Sequence, residues 1–182
     1  AQVSQHASPM YNSIPATTTP EALAHKRAAA EGKVHVDVGF WGGAVPGNLG
    51  DLGDLHRAGV FGFKAFMCAS GVTEFPPLDL DQLREAMTEI AAFDGLLIVH
   101  AELPEPIGAA AVRLAGADPF AYPTYLASRP PESEERAVVG LIAASLATGC
   151  RTHVLHLSAS SCLDVVDGSN GRVTAETCPH YL

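Results

Sequence analysis

An α/β protein with a parallel sheet is what this sequence predicts, and three observations predict it. Short apolar runs alternate with longer runs of helix formers. The short runs are apolar nearly throughout, as strands covered on both faces are. Residues able to bind a metal or move a proton recur where those runs end, namely Lys64, His100, His156 and, just past the last run, His180. An open doubly wound sheet and a closed (β/α)8 barrel both fit the alternation. A doubly wound nucleotide binder would carry a Gly-rich phosphate turn, and neither G-x-G-x-x-G nor a P-loop occurs here. Barrel enzymes build their sites at the C-terminal ends of their strands, so the strand-end residues favour an incomplete barrel of five units.

Taken in order, residues 1–9 read as a loose, polar leader, and residues 10–182 as one domain. Thr19-Pro20-Glu21 opens a helix over 22–31 that Gly32 closes. Residues 33–40 read as a buried strand running into Trp41-Gly42-Gly43, with a helix near 49–58. Strand 61–67, helix 79–93 and strand 96–100 follow, then a loop-rich helical excursion and a helix over 132–148. Strand 152–158, a helix near 160–166 and strand 172–177 complete the series.

Composition narrows the function. With 47% apolar residues among 182, the chain can bury a sizeable core. Eleven Lys and Arg against 20 Asp and Glu give a net charge of -9, which disfavours nucleic acid and anionic membrane surfaces and favours a small-molecule substrate. Every apolar run is interrupted well before the roughly 20 residues of a membrane span. Cys68, Cys150, Cys162 and Cys178 are widely spaced with no C-x-x-C pair, as expected of reduced thiols in cytoplasm.

Lys64 lies inside an apolar strand, where an unpaired ammonium is costly. Either its head reaches water, or it is a desolvated amine neutral enough to react with carbon dioxide and become an anionic carbamate. His100 closes Leu96-Leu97-Ile98-Val99, and His156 repeats the arrangement after Val154-Leu155. Strand alternation would put His153 and His156 on opposite faces, so one of them can enter a shared site, and spacing does not say which. Two imidazoles and a carbamate-capable lysine on three consecutive strands suit a hydrolytic metal site. A structural zinc on Cys150-x-x-His153 and Cys178-x-His180 is disfavoured, because those spacings match no common closed zinc site.

Larger motifs carry a resemblance. Asn12-Ser13-Ile14-Pro15, Asp37-Val38-Gly39-Phe40-Trp41-Gly42-Gly43, Gly62-Phe63-Lys64-Ala65-Phe66, Ser70-Gly71-Val72-Thr73-Glu74-Phe75-Pro76, Val99-His100-Ala101-Glu102, Ser128-Arg129-Pro130 and Glu176-Thr177-Cys178-Pro179-His180 together resemble the allantoinases, a branch of the metal-dependent cyclic amidohydrolases. The resemblance runs from about residue 10 to the end. It implies a (β/α)8 TIM barrel of which this chain holds about strands 3 to 7, with Lys64 on the fourth, His100 on the fifth and His156, rather than His153, on the sixth. It further implies two divalent ions, usually zinc, bridged by N6-carboxylated Lys64 and a hydroxide that opens the hydantoin ring of allantoin to allantoate. Ser70 and Gly71 would meet this cyclic ureide substrate, and the complete enzyme would be a homo-oligomer.

The family's first strand carries an H-x-H pair and its eighth an Asp that serves as ligand and general base; this sequence contains no H-x-H, and the eighth-strand segment lies outside it. The isolated chain is therefore expected to be inactive, its catalytic base unknown within these residues. Hydantoinases usually place a Tyr five positions after the lysine, where Ala69 stands, and dihydroorotases lack the W-G-G and E-F-P segments. Both remain alternatives, as does a non-catalytic remnant acting as a scaffold.

Overall fold

A computed structural model describes residues 15–181, so the expected leader at 1–9 and the segment 10–14 lie outside the described residues. Among the described residues, five strands form one sheet: β1 (Gly42–Gly43), β2 (Phe63–Phe66), β3 (Leu96–His100), β4 (Arg151–Val154) and β5 (Val173–Ala175). All neighbours are parallel and the spatial order follows chain order. Sequential order without a reversal is the winding of a (β/α)8 barrel, since a doubly wound sheet reverses its order at a switch point. The protein thus holds a five-strand sector of such a barrel.

Among the described residues, seven α-helices accompany the strands: α1 (Pro20–Ala30), α2 (Leu52–Arg57), α3 (Leu80–Ala91), α4 (Pro104–Arg113), α5 (Tyr122–Ala127), α6 (Pro131–Thr148) and α7 (Leu163–Asp167). Local chemistry fixes their starts. Thr19 caps α1 by accepting from the Ala22 amide at 3.2 Å. Asp79 and Gln82 cap α3 reciprocally, each accepting from the other's backbone amide at 2.9 and 3.1 Å. Gly149 ends α6 at φ 76, a left-handed conformation that glycine adopts without strain. None of the described helices is long and apolar enough to cross a membrane.

Register sorts the side chains into two faces. Phe63, Ala65, Leu97, Val99, Val154 and Val173 face outward into the main core with Leu52, Leu55, Leu83, Met87, Ile90 and Leu141 from the helices. Paired positions in a parallel sheet share a face, so Lys64, Ile98, His153 and Thr174 form a row on the other side, and Phe66 and His100 a second row nearer the strand ends. The outer face is a continuous apolar core, and the inner face carries the polar chemistry.

Two strands differ from expectation. Residues 33–40 are not a strand: Val34 and Val36 are 47% and 58% exposed, and pairing starts only where Phe61 N–H donates to the Phe40 carbonyl at 2.9 Å. Opposite residues 33–39 the chain is still in α2 and the turn at Gly59 (φ 92), so no extended partner exists until residue 61. The strand instead uses Gly42 and Gly43, because a Cβ there would meet the Phe63 ring at 3.1 Å and the Phe75 ring at 2.5 Å. The expected strand 152–158 ends at Val154, and His156 adopts φ 40. Strand alternation therefore does not govern His156.

Candidate metal centre

On β2, Lys64 turns inward and is only 3% exposed, so its head does not snorkel to water. Nζ sits 4.4 Å from the centre of the Phe66 ring, a cation–π distance. Burial pushes its pKa down to about 7, against the opposing pull of Glu176 and Cys68. A large share of the amine is thereby neutral at physiological pH, with a lone pair available for chemistry.

His100 ends β3 and stacks on the same Phe66 ring at 5.3 Å, while Phe75 meets Phe66 edge-on from the loop after β2. His156 arrives on the chain after β4, its Nε2 lying 3.2 Å from His100 Nδ1. The other nitrogen of His100, Nε2, lies 2.5 Å from Glu102 Oε2. Burial raises the Glu102 pKa, but the His100 and Arg129 contacts outweigh it and hold the group below the usual carboxylate range. An ionised carboxylate only accepts, so His100 donates from Nε2, and in the neutral ring this leaves the Nδ1 lone pair facing His156. Burial, then His100 and Lys64, lower the His156 pKa to about 4, leaving a neutral ring at pH 7. Phe66 thus forms the floor of a site whose walls are Lys64, His100 and His156.

Each imidazole has its own support. Arg129 donates to Glu102 at 2.9 Å, and the Cys68 thiol stands 3.9 Å from the same oxygen. Burial and Glu102 raise the Cys68 pKa, with Arg129 opposing. Behind His156, the buried carboxylate of Glu134 on α6 accepts from the Ser158 amide at 3.0 and 3.1 Å, the Ser158 hydroxyl at 2.9 Å and the Ala159 amide at 2.6 Å. The Leu157 amide donates to the Glu176 carbonyl at 2.6 Å, and the Thr177 hydroxyl to the Leu157 carbonyl at 2.8 Å. The loop carrying His156 is anchored on both sides.

No family model matches the chain. Curated relatives do: it is 53% identical over 174 residues to the allantoinase of Streptomyces avermitilis, spanning 94% of this chain and 38% of that protein. It is also 41% identical over 185 residues to the allantoinase of Arabidopsis thaliana, spanning 94% of this chain and 36% of that one. Over this stretch the chain is a homologue of the allantoinases. Among solved structures it superposes on the L-hydantoinase (dihydropyrimidinase) of Arthrobacter aurescens with a TM-score of 0.89 and 32% identity, covering 96% of this chain and 39% of the other. This allantoinase homologue therefore spans under two-fifths of the length of the relatives it matches.

The remaining residues expected at the allantoinase-like site fall around it. Ser70 folds into its own turn, its hydroxyl donating to the Phe75 carbonyl at 2.7 Å and accepting from the Val72 amide at 3.1 Å; Gly71 follows at φ 81. His153 faces inward, one row below the centre, with Nδ1 2.7 Å from the Thr174 hydroxyl. His180 is exposed in the turn Pro179–Tyr181 and joins neither group. Among the described residues, the cluster of Cys, His and acidic ligand atoms close enough to share an ion is Cys68, His100 and Glu102, which includes neither Cys150 nor Cys178. The supporting roles of Glu102, Arg129, Cys68 and Glu134 were missed. Glu102 stands two residues beyond a strand-end histidine, which is a usable signal. Glu134 shares a helix first turn with Glu132, where acidic residues are ordinary, and only its burial distinguishes it.

Proposed function

We propose that this chain supplies the Lys64–His100–His156 half of a binuclear centre that, in a protein of its relatives' length, hydrolyses the hydantoin ring of (S)-allantoin to allantoate. The observation carrying this reading is the 3.2 Å approach of His100 Nδ1 to His156 Nε2 beside a buried lysine, two ring nitrogens brought to one point. The donor set fits a divalent metal pair, zinc in the family's usual form. When bound, such ions lower the pKa of water and polarise the ring carbonyl.

The chain's own residues do the rest. Neutral Lys64 can form an N–C bond to carbon dioxide and release a proton, giving an anionic N6-carboxylated lysine suited to bridging two cations. Glu102 fixes the His100 tautomer, and the Glu134 clamp fixes the backbone that presents His156. Phe66 and Phe75 keep this corner dry. Ser70 and Gly71, in the turn after β2, are the residues that would meet the cyclic ureide. The catalytic base is an Asp outside these residues. Residues 10–182 form part of the barrel domain of a homo-oligomeric, cytoplasmic enzyme of purine catabolism, a setting that suits the free thiols of Cys68, Cys150, Cys162 and Cys178.

The test grafts residues 10–182 in place of the matched segment of the Streptomyces avermitilis allantoinase and assays allantoin, hydantoin and dihydroorotate. Allantoin should be opened preferentially, with Lys64→Ala, His100→Ala and His156→Ala each slowing turnover by more than about a hundredfold. Preference for hydantoin would move the assignment to the hydantoinases, the reading that the structural neighbour favours. The 182-residue chain alone, given zinc and bicarbonate, should show negligible ring opening.

A further inference from the structure

His100 has two nitrogens, and each faces a different set of donors. Nδ1 looks toward His156, while Nε2 looks toward Glu102 and, behind it, Cys68. The sulfur, the imidazole nitrogen and the carboxylate oxygen all lie within 4.8 Å of one another. Around a tetrahedral ion with bonds of about 2.0–2.3 Å, donor atoms stand about 3.3–3.8 Å apart, so gathering these three needs shifts of about an ångström. Cys68 is buried at the end of the segment after β2, and Arg129, whose side chain is 49% exposed, can swing from Oε2 toward water or toward the second carboxylate oxygen. Thiolate, imidazole and carboxylate with an open fourth position is a donor set for a thiophilic divalent cation.

We propose that Cys68 Sγ, His100 Nε2 and Glu102 Oε2 form a second cation site, taking one thiophilic divalent ion, whose filling is mutually exclusive with the use of His100 Nδ1 beside His156. The proton balance sets the exclusion. Binding releases the Cys68 thiol proton to solvent and moves the His100 proton from Nε2 to Nδ1. An N–H then points at His156 where a lone pair stood, so a soft ion at Cys68 disables the neighbouring donor pair without touching Lys64 or His156. Ion capture itself is independent of the proposed allantoinase centre; only its inhibitory consequence rests on that reading.

The experiment titrates the reduced 182-residue chain with Cd²⁺ and follows the thiolate-to-cadmium charge-transfer absorption. One Cd²⁺ per chain should bind. Cys68→Ser should abolish the band, Glu102→Gln should weaken binding about tenfold, and Cys178→Ser and His156→Ala should leave it unchanged. Long-range ¹H–¹⁵N spectra of the unsubstituted chain should show the His100 proton moving from Nε2 to Nδ1 on saturation, a readout independent of how the variants fold. Loss of the band in Cys178→Ser, or in a folded His156→Ala, would overturn the assignment, as would a His100 proton that stays on Nε2. Cadmium binding through Cys68 in a grafted enzyme that fails to open allantoin would sink the proposed function and leave this site standing.

Discussion

His100 and His156 bring their nitrogens to the same point, but the chain holds them there by opposite means. His100 sits at the end of a regular strand, and its ring is set by side chains: Glu102 fixes the proton and Arg129 fixes Glu102. His156 lies beyond its strand on left-handed backbone at φ 40, and it is the backbone that is held, by four contacts to Glu134 and by the carbonyl and hydroxyl of Glu176 and Thr177. One support tunes a ring and bears little on the fold. The other stabilises a backbone that a non-glycine residue adopts only under constraint, so it belongs to folding and site together.

The widest separation between the two should come from Glu134→Ala. It removes the acceptor of two amides and a hydroxyl in a buried setting, and should lower the unfolding free energy by about 3 kcal/mol in a urea titration. Acid should act on the His156 side next. Its folded pKa of about 4 lies below the ordinary 6.5, so the unfolded chain binds the extra proton more readily and stability is lost as pH falls from 6.5 through 4. A His156→Gln chain should lose that part of the slope in unfolding curves taken across the same window. On the His100 side, Glu102→Gln should cost only about 1 kcal/mol, while ¹⁵N spectra show His100 no longer confined to the Nε2–H tautomer. Arg129→Gln, at a half-exposed ion pair, should change stability by less than about 0.5 kcal/mol. Equal costs for Glu134→Ala and Glu102→Ala would break the distinction.

The same contrast explains what could be read in the sequence. Strands β2 and β3 and helices α3 and α6 carry strong apolar periodicity and clear ends at Asp79 and Gly149, and they stand where expected. Lys64 and His100 stand out in the sequence because they sit in or at the end of such runs, and the structure brings both against the Phe66 ring. The first strand was misplaced because Val34 and Val36 have strand-like side chains but no partner, whereas Gly42 and Gly43 have a partner and rings that exclude a Cβ. Strand pairing is non-local, and local composition does not report it. His156 was singled out over His153 by the resemblance alone, and the alternation rule does not reach it, since a left-handed residue breaks the period. Glu134 reaches Ser158 across 24 positions of chain, a contact that no local pattern encodes.

The convergence of Lys64, His100 and His156 is most directly tested by anomalous diffraction from crystals of the chain grown with zinc and bicarbonate. A zinc peak about 2.0–2.1 Å from both His100 Nδ1 and His156 Nε2 is expected, with added density for a carboxyl group on Lys64 Nζ. A map with no peak between those two nitrogens, and Lys64 turned away from them, would contradict it.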